Sequence, residues 1–486
     1  MYYAIWQVCT VSFKAGLCIV SVAALLVLRY KVRHPNKSFT VAGYNVLATP
    51  FRILGSGIYE GGEVSPDRAM AEAKKLVQLE DFGSLAFVER YKAAEAAMKK
   101  EGARYSNLGF ILAYMKVREI CTRRLLMVDY LRSHPAVQRV KLPSPIFVIG
   151  LGRSGTTLLH RLLALDPKRR APLGWELCKP VPDRTACHVG ASAEVFQADR
   201  QRRMAEGLKG RQTYEALGNG NTENLHESGF DLPVECMHGM SDELPTAMHL
   251  MAFTGKAWFD LRDSGALTDE ALVQGYEAHR RILQLLSYQA ARERGAQGED
   301  VLCGEQWVLK FPTHLNMLPQ LAQVFPDAKL VWAHRHPLSC TSSMCSMVFS
   351  MADVFCDVNP SYDTRIMGPV AARRAERSLS EAMRDLDVCG LPCSHVRFED
   401  LVSDPLSVVK TVHEELGLEF SAQHQANIEA YLARDKQHRE KLRNARKDKK
   451  ALHAHRSVDF GLTPALFAGP IFETYLQRFR ISAVDM

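Results

Sequence analysis

Residues 146–159 read IFVIGLGRSGTTLL, in which an apolar run leads into a glycine-rich turn and then into hydroxyl and apolar residues. This order predicts a buried strand, a loop that binds an anion through its backbone N–H groups, and the start of a helix. In the nucleotide-hydrolysing form of such a loop a lysine precedes the Ser/Thr, but Thr156 stands at that position here. The stretch therefore predicts an α/β fold with an anion site, and the missing lysine argues against a magnesium-bound triphosphate.

Further strand-and-helix pairs follow this loop along the chain. The segment 155–165 reads as the first helix. Three short apolar runs follow, at 307–309, 330–333 and 395–398. They precede helical patterns at 314–325, 337–350 and 400–417, respectively. Strands that alternate with helices form a central parallel sheet covered by helices on both faces, which is a three-layer fold. Ligands of such sheets bind beyond the carboxyl ends of the strands. Arg153, Lys310 and Arg335 each follow a predicted strand, and we expect them to meet there.

The chain of 486 residues divides into three parts by pattern. Residues 1–30 are predominantly apolar, and 31–142 contain a connector followed by two or three helices that end near residue 133. The main domain occupies 143–486 and is interrupted at about 187–300 by a mostly helical insertion. We expect the helical lead-in to pack on the main domain.

The N-terminal part predicts a membrane anchor. Residues 15–28 are uninterruptedly apolar, and residues 4–13 extend the run with only Lys14 between them, which is long enough to span a bilayer. We favour an anchor over a buried core helix because an N-terminal helix that is apolar on every face rarely belongs to a soluble domain. We favour an anchor over a signal peptide because no basic segment precedes the apolar run. Basic residues at 29–37 favour a cytosolic body, whereas the sequon at 36–38 favours a lumenal one, so the orientation stays open.

Charge and cysteine content exclude some classes of partner. The formal net charge of +7 fits an anionic ligand or an acidic membrane surface but is too weak to indicate a nucleic acid. The 12 cysteines contain no CxxC pair, so we predict no zinc site and expect most of them to be small buried residues. Lys310 stands where a nucleotide hydrolase carries an acidic metal ligand, and we therefore expect no metal.

Several stretches together resemble sulfotransferases that use 3′-phosphoadenosine 5′-phosphosulfate (PAPS). GLGRSGTTLLHRLLALDP, from residue 150, is similar to the 5′-phosphosulfate loop of that family. WVLKFPTHLNMLPQLAQVFPDAKLVWAHRHP, followed by Ser343, resembles the segment that ends in the 3′-phosphate site, and VRFEDLVSDP resembles the fourth strand and its turn. The C-terminal HRSVDFGLTPALFAGPIFETYLQRF is similar to the closing segment of the bacterial-type and tyrosylprotein-type branch. The resemblance covers most of residues 143–482.

The resemblance implies a role for each matching residue. The 5′-phosphate and sulfonate would be bound by Arg153, Ser154, Gly155, Thr156 and Thr157. Lys310 would stabilise charge on the bridging oxygen, and Arg335 with Ser343 would bind the 3′-phosphate. His336 departs from the family, which usually has an aspartate there to cap the next helix, and we expect histidine to cap less well.

A general base must take the proton of the acceptor, and three residues are candidates. Glu176 is favoured because a glutamate precedes a similar apolar-proline stretch in the tyrosylprotein branch. His314 lies four residues after Lys310, at the start of a predicted helix that would face the cleft. Glu235 lies in FDLPVEC, within the insertion that would form the acceptor pocket.

The sequence therefore predicts sulfonate transfer from PAPS to a hydroxyl or amine acceptor by in-line displacement without a metal. The acceptor stays open among carbohydrate, lipid, tyrosyl peptide and small molecule. The alternatives are a nucleotide kinase or NTPase, which the missing lysine opposes, and an inactive membrane scaffold that keeps the fold. The resemblance further implies a Golgi or ER membrane, and it is compatible with a homodimer.

Overall fold

The computed structural model describes residues 24–30, 42, 46, 64–214, 231–245, 256–358, 363–445 and 456–482. Its strands are β1 (Arg104–Tyr105), β2 (Ile146–Ile149), β3 (Arg169–Arg170), β4 (Gln306–Lys310), β5 (Lys329–His334), β6 (Cys356–Val358) and β7 (Cys393–Arg397). Within the described residues, five parallel strands form one sheet in the order β3-β4-β2-β5-β7. The remaining two, β1 and β6, form a separate antiparallel pair. The strand that carries the glycine-rich loop, β2, is thus central.

Helices surround this sheet. They are α1 (Pro66–Val77), α2 (Ala86–Lys100), α3 (Asn107–Ser133), α4 (Thr156–Ala164), α5 (Gly174–Cys178), α6 (Ala193–Tyr214), α7 (Met237–Met240), α8 (Lys256–Asp263), α9 (Asp269–Glu293), α10 (Leu318–Val324), α11 (Pro337–Phe355), α12 (Thr364–Cys389), α13 (Phe398–Ser403), α14 (Pro405–Glu415), α15 (Ala422–Ala445) and α16 (Pro470–Arg478). Short 3₁₀ helices lie at Pro135–Arg139, Gly298–Leu302, Pro312–Asn316, Ser457–Phe460 and Pro464–Phe467.

The two faces of the sheet pack into different cores. Successive side chains of a strand point to opposite faces. Ile146 and Val148 of β2 therefore pack in one cluster with residues of α4, α14 and α15. Phe147 and Ile149 pack in the other cluster, with residues of α9 and α10. Both faces are buried, which explains the unbroken apolar run in β2 and confirms the predicted parallel sheet with helices on both sides.

The predicted strands and helices agree with the structure, except at the edge of the sheet and where a predicted helix is broken in two. The strand predicted at 146–149 is β2, and the three other predicted strands appear as β4, β5 and β7. Sequence reasoning missed β3, because two arginines at a sheet edge give no apolar signal. The helix predicted at 400–417 is in fact two helices, α13 and α14. It breaks at Asp404, whose carboxylate accepts from the backbone N–H of Ser407 (3.0 Å) and caps α14.

Buried ion pairs join the helical lead-in to the segment that follows α7. The Arg123 guanidinium of α3 lies 2.5 Å from an Asp242 carboxylate oxygen, and both side chains are almost fully buried. Arg124 of the same helix and Arg90 of α2 both lie 2.8 Å from the Glu243 carboxylate. Since a buried charge is tolerated only when it is paired, these contacts hold α2 and α3 in one position on the main domain.

The substitution Asp242→Asn is expected to lower the free energy of unfolding by about 3–5 kcal/mol, because it leaves the Arg123 charge buried and uncompensated. Urea unfolding of the full chain measures this as a lower midpoint. A matched control is Asp387→Asn, which removes an exposed partner of Arg478 and should leave the midpoint unchanged. Equal midpoints for the two variants would contradict a stabilising role for the buried pair.

Several sequence-based expectations concern residues outside those described. Of the predicted anchor at 1–30, only 24–30 are described, and they are helical. None of the described helices has the length and apolar character needed to cross a bilayer. The connector predicted at 30–62 also lies outside the described residues, apart from 30, 42 and 46. Ten cysteines are described, all as free thiols, and six of them are buried, as expected from the spacing.

Candidate functional site

The glycine-rich loop between β2 and α4 has the geometry of an anion site. The backbone is in the left-handed region at Gly150, Arg153 and Gly155, with φ of 147°, 73° and 94°. Glycine adopts such angles freely, whereas an arginine there is under backbone strain, which is typical of functional loops. The loop leads into the N-terminus of α4, where backbone N–H groups lack helical partners and the helix dipole favours an anion. The buried Ser154 hydroxyl has no hydrogen-bond partner among the described residues, as expected when the ligand supplies one.

Two arginines and a serine converge beside this loop. The Arg153 Nε donates to the Ser343 Oγ of α11 (3.0 Å), and the Arg335 Nη1 donates to the backbone oxygen of Arg153 (2.9 Å). The Arg335 guanidinium also lies 4.1 Å from the centroid of the Phe398 ring. Neither arginine forms an ion pair with a carboxylate in the described part of the chain. Burial lowers the pKa of Arg153, and the neighbouring Arg335 charge lowers it further. A bound anion would therefore stabilise the charged form of this cluster.

Lys310 ends β4 and lies beside β2, where it pairs in register with Val148. Its Nζ donates to a Glu235 carboxylate oxygen (2.6 Å) and to the Thr157 hydroxyl at the start of α4 (3.4 Å). The backbone N–H of Cys236 donates to the Lys310 carbonyl (2.9 Å), which holds the Glu235 segment against the end of the strand. Lys310 is only 2% exposed. The structure therefore brings together Lys310, Glu235 and Thr157.

Glu176, the base that the sequence favours, has other partners. One carboxylate oxygen accepts from the backbone N–H of Leu173 (2.9 Å), and the other forms an ion pair with Arg170. Burial alone would lower the pKa of Arg170, but the carboxylates of Glu176 and Glu305 raise it overall. These residues line a cavity of about 410 Å³ beside the edge strand β3. Glu176 thus lies on the wall of a cavity whose lining includes neither Lys310 nor the glycine-rich loop, and its carboxylate is already paired.

His314 does not face an open cleft, in contrast to the expectation from its position after Lys310. It lies in the 3₁₀ helix Pro312–Asn316 and is fully buried. Its Nδ1 lies 2.7 Å from the Tyr276 hydroxyl, and its ring packs edge-on against Phe147. Burial lowers the pKa of His314 well below the usual value, with His279 and Lys310 acting in the same direction. His314 is therefore a neutral core residue.

His336, which we expected to cap less well than an aspartate, does cap the following helix. The backbone N–H of Leu338, in the first turn of α11, donates to the His336 Nδ1 (3.3 Å). This is the bond that an N-cap aspartate would accept, so the departure at this position leaves the turn intact. Sequence reasoning missed Phe398, which contacts Arg335. Phe398 directly follows β7, and this position at the carboxyl end of a strand could have identified it as a site residue.

One buried group of possible metal ligands occurs among the described residues, formed by Asp166, His413 and His424. The Arg169 guanidinium contacts the Asp166 carboxylate and lies 2.9 Å from the His413 Nε2. Arg169 thus supplies the positive charge that an ion would bring. The group follows the C-terminal end of α4, and this nine-residue helix separates it from the loop by about 13 Å.

Known proteins share this architecture. The chain is 26% identical over 301 residues to the omega-hydroxy-beta-dihydromenaquinone-9 sulfotransferase Stf3 of Mycobacterium bovis and of Mycobacterium tuberculosis. The match covers 60% of this chain and 66% of those relatives, so this chain spans just under two thirds of their length.

Crystal structures of mycobacterial sulfotransferases resemble the whole arrangement. STF9 from Mycobacterium avium superposes with a TM-score of 0.66 at 25% identity, covering 87% of this chain and 98% of that one. STF1 from Mycobacterium tuberculosis superposes with a TM-score of 0.64 at 24% identity, covering 86% of this chain and 99% of that one. This likeness supports the fold. The sulfotransferase family model matches residues 145–422, which is more than half of the chain and includes the loop, Lys310, Arg335 and Ser343. The protein therefore belongs to the sulfotransferase family.

Proposed function

We propose that this protein transfers a sulfonate group from PAPS to a hydroxyl acceptor. The observation that carries the proposal is the meeting of three groups at the carboxyl ends of the adjacent strands β4, β2 and β5. These groups are Lys310, the loop, whose Ser154 hydroxyl has no hydrogen-bond partner among the described residues, and the cluster of Arg153, Arg335 and Ser343. A donor with two separate phosphate positions requires two cationic positions, and this edge of the sheet offers both.

Each part of the donor has a proposed partner. The 5′-phosphate and sulfonate lie on the loop, bound by backbone N–H groups and by Arg153, Ser154, Gly155, Thr156 and Thr157. The 3′-phosphate is bound by Arg335 and Ser343. Since Arg153 donates to Ser343, the positions proposed for the 5′-phosphosulfate and the 3′-phosphate are adjacent. The contact with the Phe398 ring orients the Arg335 side chain.

In the proposed reaction the acceptor oxygen attacks sulfur as the bond from sulfur to the bridging oxygen breaks. Lys310 stabilises the negative charge that develops on that oxygen, and 3′-phosphoadenosine 5′-phosphate (PAP) leaves. Glu235 takes the proton of the acceptor hydroxyl. Glu235 is preferred over Glu176 and His314 because it contacts Lys310 directly, while the other two are committed to Arg170 and Tyr276. Lysine and arginine supply the positive charge that a metal provides in nucleotide hydrolases.

A lipid is the acceptor class that we favour. The mycobacterial relatives are named for a hydroxylated dihydromenaquinone, which is a lipid with a long apolar chain. The apolar run at residues 4–28 would hold this chain at a membrane, where such acceptors are located. Carbohydrate, peptide and small phenolic acceptors are the other outcomes of the assay below.

Transfer of label from ³⁵S-labelled PAPS tests the proposal. The full-length chain in detergent is incubated with separated lipid, glycan and peptide fractions, and excess PAP should abolish the labelling. We expect label in the lipid fraction without added ATP or Mg²⁺. Turnover of ATP with Mg²⁺ in place of PAPS would support a kinase, and PAP binding without transfer to any fraction would support an inactive scaffold.

The substitution Arg335→Gln is expected to weaken PAP binding by about 10–100-fold and to leave adenosine 5′-phosphate binding nearly unchanged, because only PAP carries the 3′-phosphate. Isothermal titration of both nucleotides measures the preference. Arg397→Gln is the matched control, since Arg397 ends the neighbouring strand β7 and pairs with Asp400 at the surface. A variant that still prefers PAP as strongly as the wild type would place the 3′-phosphate elsewhere.

A further inference from the structure

A second cavity lies against the glycine-rich loop. Its volume is about 90 Å³, and it lies between the loop, the 3₁₀ helix Pro312–Asn316, α11 and α12. Its apolar lining includes Leu151, Pro312, Leu315, Met344, Val348 and Met367. The cavity is in direct contact with the loop, because a Cβ added at Gly152 would lie 1.9 Å from the Met344 methyl carbon. It therefore adjoins the position proposed for the sulfonate.

Arg374 of α12 lines this cavity and has no ionic partner in the described part of the structure. The next arginine of the helix is different, since Arg377 pairs with Asp263 and Glu381. Burial lowers the pKa of Arg374, and the nearby Cys345 thiol acts weakly in the opposite direction. The Arg374 side chain is half-buried in the cavity wall, where apolar neighbours limit its contact with water, so an anion that entered the cavity would be attracted to its charge.

The polar neighbours of Arg374 do not provide that anion. The Ser378 hydroxyl donates to the Asn316 side-chain oxygen (3.2 Å), and the Asn316 Nδ2 donates to a Glu381 carboxylate oxygen (2.9 Å). Glu381 is in turn paired with Arg377. This chain of bonds is satisfied within itself and leaves the Arg374 guanidinium as a donor for a ligand.

We propose that Arg374 is a specificity-determining residue that binds a carboxylate or similar anionic group of the acceptor. The inference rests on the proposed function and narrows it to an acceptor with an apolar body and one negative charge. A cavity of 90 Å³ is far smaller than a pocket for a whole small molecule, so it holds one group of the acceptor. Met344 can widen the entrance because its unbranched thioether changes rotamer easily.

Binding of a matched pair of probes tests this inference. The full chain is saturated with PAP and titrated with 6-hydroxyhexanoate and with 1,6-hexanediol, which differ in one terminal carboxylate. The wild type should bind the carboxylate at least about tenfold more tightly than the diol. Arg374→Gln should reduce this preference to about one. Arg373→Gln, which removes the exposed neighbouring arginine of the same helix, should retain it.

The remaining outcomes separate this inference from the function on which it rests. Arg374→Gln should bind PAP as the wild type does, and its melting temperature should not fall, because the substitution removes an unpaired charge. A loss of PAP affinity would assign Arg374 to the donor site and overturn the inference. Equal binding of the two probes to the PAP-loaded wild type would also overturn it. Failure of the wild type to bind PAP would instead overturn the proposed function.

Discussion

Replacement of Lys310 by methionine is expected to lower kcat about 10²–10³-fold, which is the usual effect of removing one group that stabilises developing charge. Lys310 is almost fully buried, and its Nζ contacts the first turn of α4, where the sulfonate is proposed to bind. A charge acts more strongly in such a water-excluded position than in solvent. Methionine keeps the unbranched shape and removes the charge. Transfer of label from PAPS under saturating donor measures kcat.

PAP binding by the Lys310 variant should change much less than kcat, because Arg335 and Ser343 retain the 3′-phosphate. Lys168→Met is a suitable control, since Lys168 is exposed and pairs with Glu419 at the surface. The variant also leaves Glu235 without its lysine, so its melting temperature is compared with that of the double variant Lys310→Met/Glu235→Gln. Turnover within threefold of the wild type would show that Lys310 does not take part in the chemical step.

The substitution Glu235→Gln is expected to lower kcat about 10²–10⁴-fold, the range for loss of a general base. Glutamine preserves the shape and the hydrogen bond from Lys310 but accepts no proton. Saturating PAPS and an excess of acceptor isolate this effect from binding.

Glu176→Gln is the matched comparison for the base. Because the buried Glu176 carboxylate pairs with the half-buried Arg170, its loss is expected to reduce stability more than kcat at a temperature where the variant stays folded. The opposite pattern, in which Glu176→Gln abolishes turnover and Glu235→Gln does not, would return the role of base to Glu176. Loss of turnover in both variants would require the acceptor proton to pass through a route that includes both carboxylates.

The grouping of the three cationic residues Arg153, Lys310 and Arg335 could be predicted from the sequence because each lies at or just beyond the carboxyl end of a strand. Parallel strands buried on both faces appear as continuous apolar runs, and such runs locate β2, β4 and β5. Their carboxyl ends meet at one edge, so Arg153, Lys310 and Arg335 could be grouped before any contact was known. The short edge strand β3 and the break at Asp404 were not predicted, because each depends on a few polar residues.

The choice of base could not be made from the sequence, because it depends on contacts between distant segments. Glu235 reaches Lys310 only because the Cys236 N–H bonds the Lys310 carbonyl and because Pro233 bridges to Leu173. Glu176 instead forms an ion pair with Arg170, whose position depends on the pairing of β3 with β4. His314 lies close to Lys310 in the chain, yet the packing of Tyr276 buries it.

The sequence alone determined the class of fold, the position of the glycine-rich loop and the family, because these depend on local periodicity, on glycine at fixed spacing and on the residues at the end of each strand. The tertiary structure alone decided which carboxylate accompanies Lys310, that His336 caps α11, and that Arg374 lies beside the loop with no ion pair in the described part of the chain. The physical reason is that burial and charge compensation are properties of the packed neighbourhood. A side chain acquires its partners from every element around it, and most of those elements are far away in the chain.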